Sequence, residues 1–260
     1  MLRHFLGATA SDLRESSVTH AGLVRGDNQD SFCARASAGV WAVADGMGGH
    51  HGGAEASRTV VAAIAKLPEK QRYQDRIIAA RAAISDANEA IFTAATQSGR
   101  QMGTTIVMLV IGEGQYTILW AGDSRAYLKR GDGFTCLTRD HSQAEELIAA
   151  GQLDRDMASG HPSSHILVRA VGVLPVVELD QIDGQIESDD IFLLCSDGLH
   201  NLVSEVEMAK MIDSQDFDRV SEQLVELGLE RGAPDNITIS LISVGASSHV
   251  RKPFFGSLYL

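Results

Sequence analysis

The run WAVADGMGGHHGG, residues 41–53, constrains this chain more than any other stretch. Five residues suited to a buried strand end on Asp45, and Gly46, Gly48, Gly49, Gly52 and Gly53 crowd the positions that follow. A helix-compatible stretch, 54–67, comes next. The layout projects one carboxylate off a strand end and lets bare backbone close around whatever that carboxylate holds, an approach that a Cβ obstructs. Glycines at this density also make an ordinary flexible turn, so the run by itself leaves both readings open.

Further acidic turns share the design. Asn28-Gln29-Asp30, Gly122-Asp123-Ser124-Arg125, Ser196-Asp197-Gly198-Leu199 and Ala233-Pro234-Asp235-Asn236 each set an aspartate at the border of an expected strand. Taken singly, each is explained by turn chemistry, because an aspartate side chain bonds its own backbone two residues on. Taken together they are harder to explain that way, since clustered carboxylates repel unless cations compensate them. An oxygen-only donor set suits magnesium, manganese or calcium rather than zinc. Cys33, Cys136 and Cys195 stand far apart, with no C-x-x-C pair and no H-E-x-x-H, so no zinc site is read.

With these residues in view the chain resembles the metal-dependent protein serine/threonine phosphatases of the type 2C (PPM) class, in their compact bacterial form. The matching segments, in order, are VRGDNQDSF (24–32), ADGMGGH (44–50), MGTT (102–105), AGDSR (121–125), RDHS (139–142), HPSSHILVRAVG (161–172), LLCSDGL (193–199) and APDNITI (233–239). The resemblance implies an α+β fold, a four-layer α-β-β-α sandwich with two central antiparallel sheets flanked by helices and a flap beside the active site. It implies two Mn2+ or Mg2+ ions per site and a weaker third. Asp45 would bridge the two ions, with the Gly46 carbonyl on one of them, and Asp197 and Asp235 would complete the other ion's shell. Asp30 would hold metal-bound water from behind, and Asp123 with Asp197 would take the third ion. Arg25 would grip the substrate phosphate, as guanidinium geometry suits phosphate oxygens. Arg25, Asp45 and Asp197 are thus the expected catalytic residues. Phosphoserine and phosphothreonine would be hydrolysed by direct attack of a metal-bridging hydroxide, with no phosphoenzyme. The implied partners are phosphorylated proteins, with a cognate serine/threonine kinase that the enzyme opposes.

The chain departs from the family pattern at three places. Gln29 replaces a common glutamate; an amide orients water without adding charge, which predicts weaker metal affinity. Met47 stands where the eukaryotic branch has a histidine proposed as general acid, so protonation of the leaving group falls to water. Ala54 and Glu55 invert a Glu-then-apolar order at a helix start, where Glu55 still favours the dipole.

Other chemistries fit less of the chain. A cysteine phosphatase needs C-x5-R, and Gly39, Ser142 and Asn201 stand six residues after the three cysteines. A serine esterase of the GDS type finds Gly122-Asp123-Ser124 and the D-x-x-H of Asp197 and His200, but in the wrong places along the chain, and leaves Asp45 and Asp235 unexplained. A catalytically weak, phosphatase-like binding domain would be marked by loss of a metal aspartate, and Asp45, Asp197 and Asp235 are all present.

With 260 residues, 44% hydrophobic and 22% charged, the chain suits one large domain. Its net charge of −12 argues against nucleic acid and anionic membrane surfaces as partners. Three cysteines fit a reducing compartment, and the short apolar run in MLRHFLGATASDLRES does not make a signal-peptide core. A cytoplasmic monomer is expected. The organisation expected is an extension at 1–14, a catalytic domain at 15–245 with a flap at about 142–175, and a tail at 246–260. Strands are expected at 15–20, 30–34, 40–44, 104–111, 116–121, 126–130, 190–195 and 236–244, and helices at 54–67, 71–98, 141–150, 204–212 and 217–231. In the longest helix Ile77, Ala80, Ile84, Ala87 and Ile91 mark one buried face. Flap residues His161, His165 and Arg169 suit either contact with phosphoprotein or plain loop roles. His141 suits a functional role or a structural hydrogen bond, and Phe254, Phe255 and Tyr259 suit surface packing or a partner.

Overall fold

Uninterrupted apolar runs such as VWAVA and IFLLC suit strands covered on both faces, and the computed structural model of the chain places them there. It describes residues 13–48, 51–158, 161–213 and 217–245. Most of the expected extension and tail, with Phe254, Phe255 and Tyr259, lies outside the described residues.

In chain order the elements are β1 (Leu13–His20), β2 (Ser31–Arg35), β3 (Val40–Ala44), β4 (Gly46–Met47), α1 (Gly52–Ile64), α2 (Tyr73–Ser98), β5 (Gly103–Thr104), β6 (Ile106–Gly112), β7 (Gln115–Ala121), β8 (Arg125–Arg130) and β9 (Gly133–Cys136). Then come α3 (Gln143–Ala149), α4 (Arg155–Ala158), β10 (Asp180–Gln185), β11 (Ile191–Cys195), α5 (Asp197–His200), α6 (Glu205–Ile212), α7 (Phe217–Glu230) and β12 (Ile237–Val244). One antiparallel sheet runs β1-β12-β11-β8-β9 and the other β10-β7-β6-β3-β2, while β4 and β5 form a separate ribbon.

The period of two within each strand builds the layers. Val40, Ala42 and Ala44 pack with Ile64, Ile84 and Ile91 of α1 and α2. The intervening Trp41 and Val43 face inward, among Ile118, Phe192 and Leu194 between the sheets. On the other sheet Leu193 and Cys195 turn outward to Met208, Val220 and Leu224 of α6 and α7. The result is the expected α-β-β-α sandwich. Phe192 is fully buried and meets Tyr116 edge-on at 4.9 Å between ring centroids. Phe192→Ala is expected to cost about 3–5 kcal/mol through the cavity it leaves, read as a lower midpoint in urea unfolding.

Most expected elements form, and the differences have local causes. The stretch 104–111 divides at Thr105, whose side chain is engaged by Asp45, into β5 and β6. Helix α1 starts at Gly52, two residues early, and Gly52 and Gly53 pack against Gln101, Gln29 and Gly46 with no room for side chains. Strands β4, β9 and β10 lie outside the expected set. β10 reads DQIDGQ and is an edge strand, so little apolar alternation marks it. The turn at Glu113-Gly114 joins β6 and β7 in a hairpin, with φ of 52° and 74°, as a type I′ turn requires.

Among the described residues no helix is long and apolar enough to cross a membrane.

Candidate active site

Strand ends from both sheets converge on one cleft of about 640 Å3. Asp45 follows β3, Asp123 lies in the β7–β8 turn, Asp197 opens α5 after β11, and Asp235 precedes β12. All four line the cleft with Arg25 and Gly46. Asp30 lies behind them, buried just before β2, where it accepts a hydrogen bond from the Ser196 hydroxyl at 2.8 Å. Every aspartate singled out from the sequence is therefore brought together.

The backbone that carries Asp45 is fixed from both sides. Its N–H donates to Thr105 Oγ1 at 2.9 Å. Its carbonyl accepts from the Thr105 N–H at 2.8 Å and from Thr104 Oγ1 at 2.9 Å. The glycine turn closes against it, because a Cβ on Gly46 would overlap the carbonyls of Gly53 and Gln29. Gly198 likewise leaves room for the Asn236 carbonyl, so the turns bearing Asp197 and Asp235 touch backbone to backbone.

So many carboxylates in one place hold their protons. Burial, followed by repulsion from Asp30, Asp197, Asp123 and Asp235, keeps the Asp45 carboxyl well above the usual range. Burial and the charges of Asp197 and Asp140 push Asp123 up to about 8. Burial pushes Asp30 up to about 6 against the hydrogen bonds from Thr238 and Ser196, and burial with Asp235 raises Asp197. Asp30 Oδ1 and Asp197 Oδ1 are buried without a hydrogen-bond partner. A buried anionic acceptor with no donor is satisfied by a cation, and the donors here are all oxygens, so the residues fit hard divalent ions. They do so through charge and donor chemistry rather than a closed cage. Among the described residues no three side chains of metal-binding type form a ready cluster, and Asp235 is held by Arg25 Nη2 at 2.7 Å.

The family described as Protein phosphatase 2C matches residues 16–238. The chain belongs to the protein phosphatase 2C family. Among solved structures it is similar to PppA, "a key regulatory component of T6SS in Pseudomonas aeruginosa", at 37% identity and a TM-score of 0.82, covering 88% of this chain and 96% of that one. It is similar to the serine/threonine phosphatase PstP/Ppp of Mycobacterium tuberculosis at 32% identity and a TM-score of 0.85, covering 90% and 99%. The PstP catalytic domain has also been solved in complex with two manganese ions. The chain spans about half the full PstP sequence, 45% of it. It matches 93% of the serine/threonine phosphatase stp of Listeria innocua at 32% identity, over 86% of its own length.

Sequence reasoning missed several supports of this phosphatase 2C site. Asn236 donates through Nδ2 to the carbonyls of Ala21 and Asp27, at 2.9 and 3.1 Å, and accepts the Gln29 N–H at 2.8 Å. One amide thereby pins the loop that carries Arg25. Its signal is the PDN triplet, where the aspartate is the residue with obvious chemistry and the asparagine passes for turn composition. His200 Nε2 donates to the Asp123 carbonyl at 3.0 Å, and burial lowers its pKa to about 4, so the ring is a neutral strut. Of the flap residues, His165 lines the cleft. His161 caps its own turn by accepting the Ser163 N–H at 3.2 Å. Arg169 is drawn away to Asp180 at 2.5 Å. His141 accepts the Gly122 N–H at 3.1 Å and stacks on Trp120, the structural role of its two readings.

Proposed function

We propose that this phosphatase 2C chain is a manganese- or magnesium-dependent enzyme that removes phosphate from phosphoserine and phosphothreonine in proteins, opposing a serine/threonine kinase. The observation that carries the reading is the convergence of Asp45, Asp123, Asp197 and Asp235, with Asp30 behind them, on one cleft whose mouth holds Arg25. In this reading Asp45, the Gly46 carbonyl, Asp197 and Asp235 hold two divalent ions, and Asp123 with Asp197 takes a weaker third. Bound, such ions neutralise phosphoryl oxygens and make water nucleophilic at neutral pH.

The chain's own residues do the rest. Arg25 has more than half of its side chain exposed, so it can leave Asp235 and meet a substrate phosphate. Asp30, fixed through Ser196 and Thr238, orients water from beneath the cluster. Thr104 and Thr105 keep the Asp45 carboxylate aimed, which is the positioning that phosphoryl transfer depends on. Residues 15–245 form the catalytic domain, and about 142–175 its flap. Likeness to PppA, a regulatory component in its own organism, supports a signalling role for this chain too. Three free cysteines support a reducing, cytoplasmic location, and a monomer is the reading to test by light scattering.

Hydrolysis of p-nitrophenyl phosphate is expected with manganese and not with EDTA, and Asp197→Ala is expected to remove it. Phosphoserine and phosphothreonine peptides should be turned over as well. A folded protein that binds manganese yet hydrolyses neither substrate overturns the reading.

A further inference from the structure

The buried stripe of α2 ends at Ile91, but the same helix continues for two more turns. Phe92, Ala95 and Thr96 lie beyond that stripe, with Ala95 still half-buried against the core, and with Met102 and Val173 they line a mainly apolar hollow of about 500 Å3. It adjoins the catalytic cleft. Met47 and Gly48 line both spaces, and Gly48 sits against the Gln101 backbone that walls the hollow. Val173, Leu174 and Val176 continue the apolar surface at the rim and are 47%, 57% and 73% exposed. Proteins seldom leave so much contiguous apolar surface uncovered without a partner for it. Arg100 stands at the edge, half-exposed, in a loose 3.7 Å contact with the equally exposed Glu55.

We infer that this hollow is a docking site for the phosphoprotein substrate, receiving an apolar side chain that lies within a few residues of the phosphorylated serine or threonine. The inference rests on the phosphatase reading above. A phosphate seated in the cleft obliges the polypeptide that carries it to leave over the surrounding rim, and across Met47 the surface it meets is this hollow. Backbone-spaced pockets for neighbouring side chains are how extended peptides gain specificity. The positive edge at Arg100 adds a preference for an acidic residue beyond the apolar one, which complements the anionic character of phosphorylated segments. Thr96 and Val173 are therefore specificity-determining residues that touch neither the phosphate nor its aspartates.

The test uses the full-length protein with manganese and three substrates. These are p-nitrophenyl phosphate, a phosphothreonine peptide with leucine or phenylalanine on both sides of the phosphothreonine, and the same peptide with serine there. The parent is expected to prefer the apolar peptide in kcat/KM. Thr96→Glu and Val173→Glu lie at exposed positions and should leave p-nitrophenyl phosphate hydrolysis unchanged. Each should lower kcat/KM for the apolar peptide about tenfold or more, the scale of one lost pocket contact, with little change for the serine peptide. Arg100→Ala should erase a preference for an added glutamate. A folded, manganese-binding parent that hydrolyses neither the peptides nor p-nitrophenyl phosphate would defeat the phosphatase reading itself. If the parent hydrolyses any of these, three results overturn the docking site alone: no loss on the apolar peptide, equal loss on both peptides, or a variant whose oligomeric state changes in light scattering.

Discussion

Asp45→Asn is expected to destroy activity while making the metal-free protein more stable at pH 8. The first effect follows from the loss of the carboxylate at the centre of the cluster. Several kcal/mol of transition-state stabilisation attributed to bound cations, at about 1.4 kcal/mol per factor of ten, amounts to a kcat lowered about a thousandfold. The second effect follows from repulsion. Asp45, Asp123, Asp30 and Asp197 all keep their protons to higher pH in the folded chain than an ordinary carboxyl does, chiefly through burial. The folded state therefore binds more protons than the unfolded one, and stability falls as pH rises above about 4. The fall continues until the last of them has ionised, with Asp123 near 8. An asparagine at position 45 removes one buried ionisable group from this set, and with it the cost of either ionising that group or holding its proton while the unfolded chain releases it. In EDTA its melting temperature should exceed the parent's, by about 2–4 °C for each kcal/mol of repulsion relieved. The gap should widen from pH 5 to pH 8, and manganese should raise the melting temperature of the parent far more than that of the variant. A variant that melts below the parent in EDTA at pH 8 would show that the cluster is not strained by its own charge.

That strain explains which parts of the site could be read from the residues alone. Aspartates at strand ends beside glycine turns are legible because their chemistry sits in a few consecutive letters. Asp45, Asp123, Asp197 and Asp235 are all found that way, and so are the strands β3 and β11, whose short runs are apolar throughout. What holds them is not legible, since it depends on residues distant in sequence. Thr105 reaches Asp45 across 60 positions, and Asn236 reaches Gln29 across 207. The edge strand β10 alternates in burial, but of Asp180, Ile182 and Gly184 on its half-buried face only Ile182 is a large apolar residue, so no hydrophobic period shows. The outward turn of Arg169 has the same kind of cause. Asp180 attracts it, and Asp180 lies on a strand the apolar pattern does not reveal. Hydrophobic period locates layers, but polar contacts between layers have no period to read.

The pair Arg125 and Asp140 shows how two motifs that look independent are one interaction. AGDSR ends on Arg125, and RDHS holds Asp140. The guanidinium donates Nε to Asp140 Oδ1 at 2.9 Å and Nη2 to Oδ2 at 2.7 Å, a bidentate fork. It also donates Nη1 to the Tyr127 hydroxyl at 3.3 Å. Both side chains are mostly buried, at 28% and 15% exposure. Against burial, the hydrogen bonds and charge of Asp140 hold the Arg125 pKa above its ordinary value. Arg125→Ala leaves Asp140 buried without its counter-charge, a change that costs about 3–5 kcal/mol. Asp140→Asn removes the charge with little change in shape and should soften that loss. The double variant is accordingly expected to be less destabilised than the sum of the two singles, by more than the ~0.5 kcal/mol within which independent sites add. Urea unfolding of the four proteins measures the cycle. Arg125 lies two residues from Asp123, and His141 follows Asp140 and anchors Gly122, so the pair fixes the turn from both ends. Arg125→Ala should consequently weaken manganese activation, shifting the half-saturating manganese concentration upward, while Phe192→Ala, equally destabilising but remote from the cleft, leaves that concentration where it was. Strict additivity of the cycle, or the same manganese shift in both variants, would reduce the pair to a surface contact with no hold on the turn.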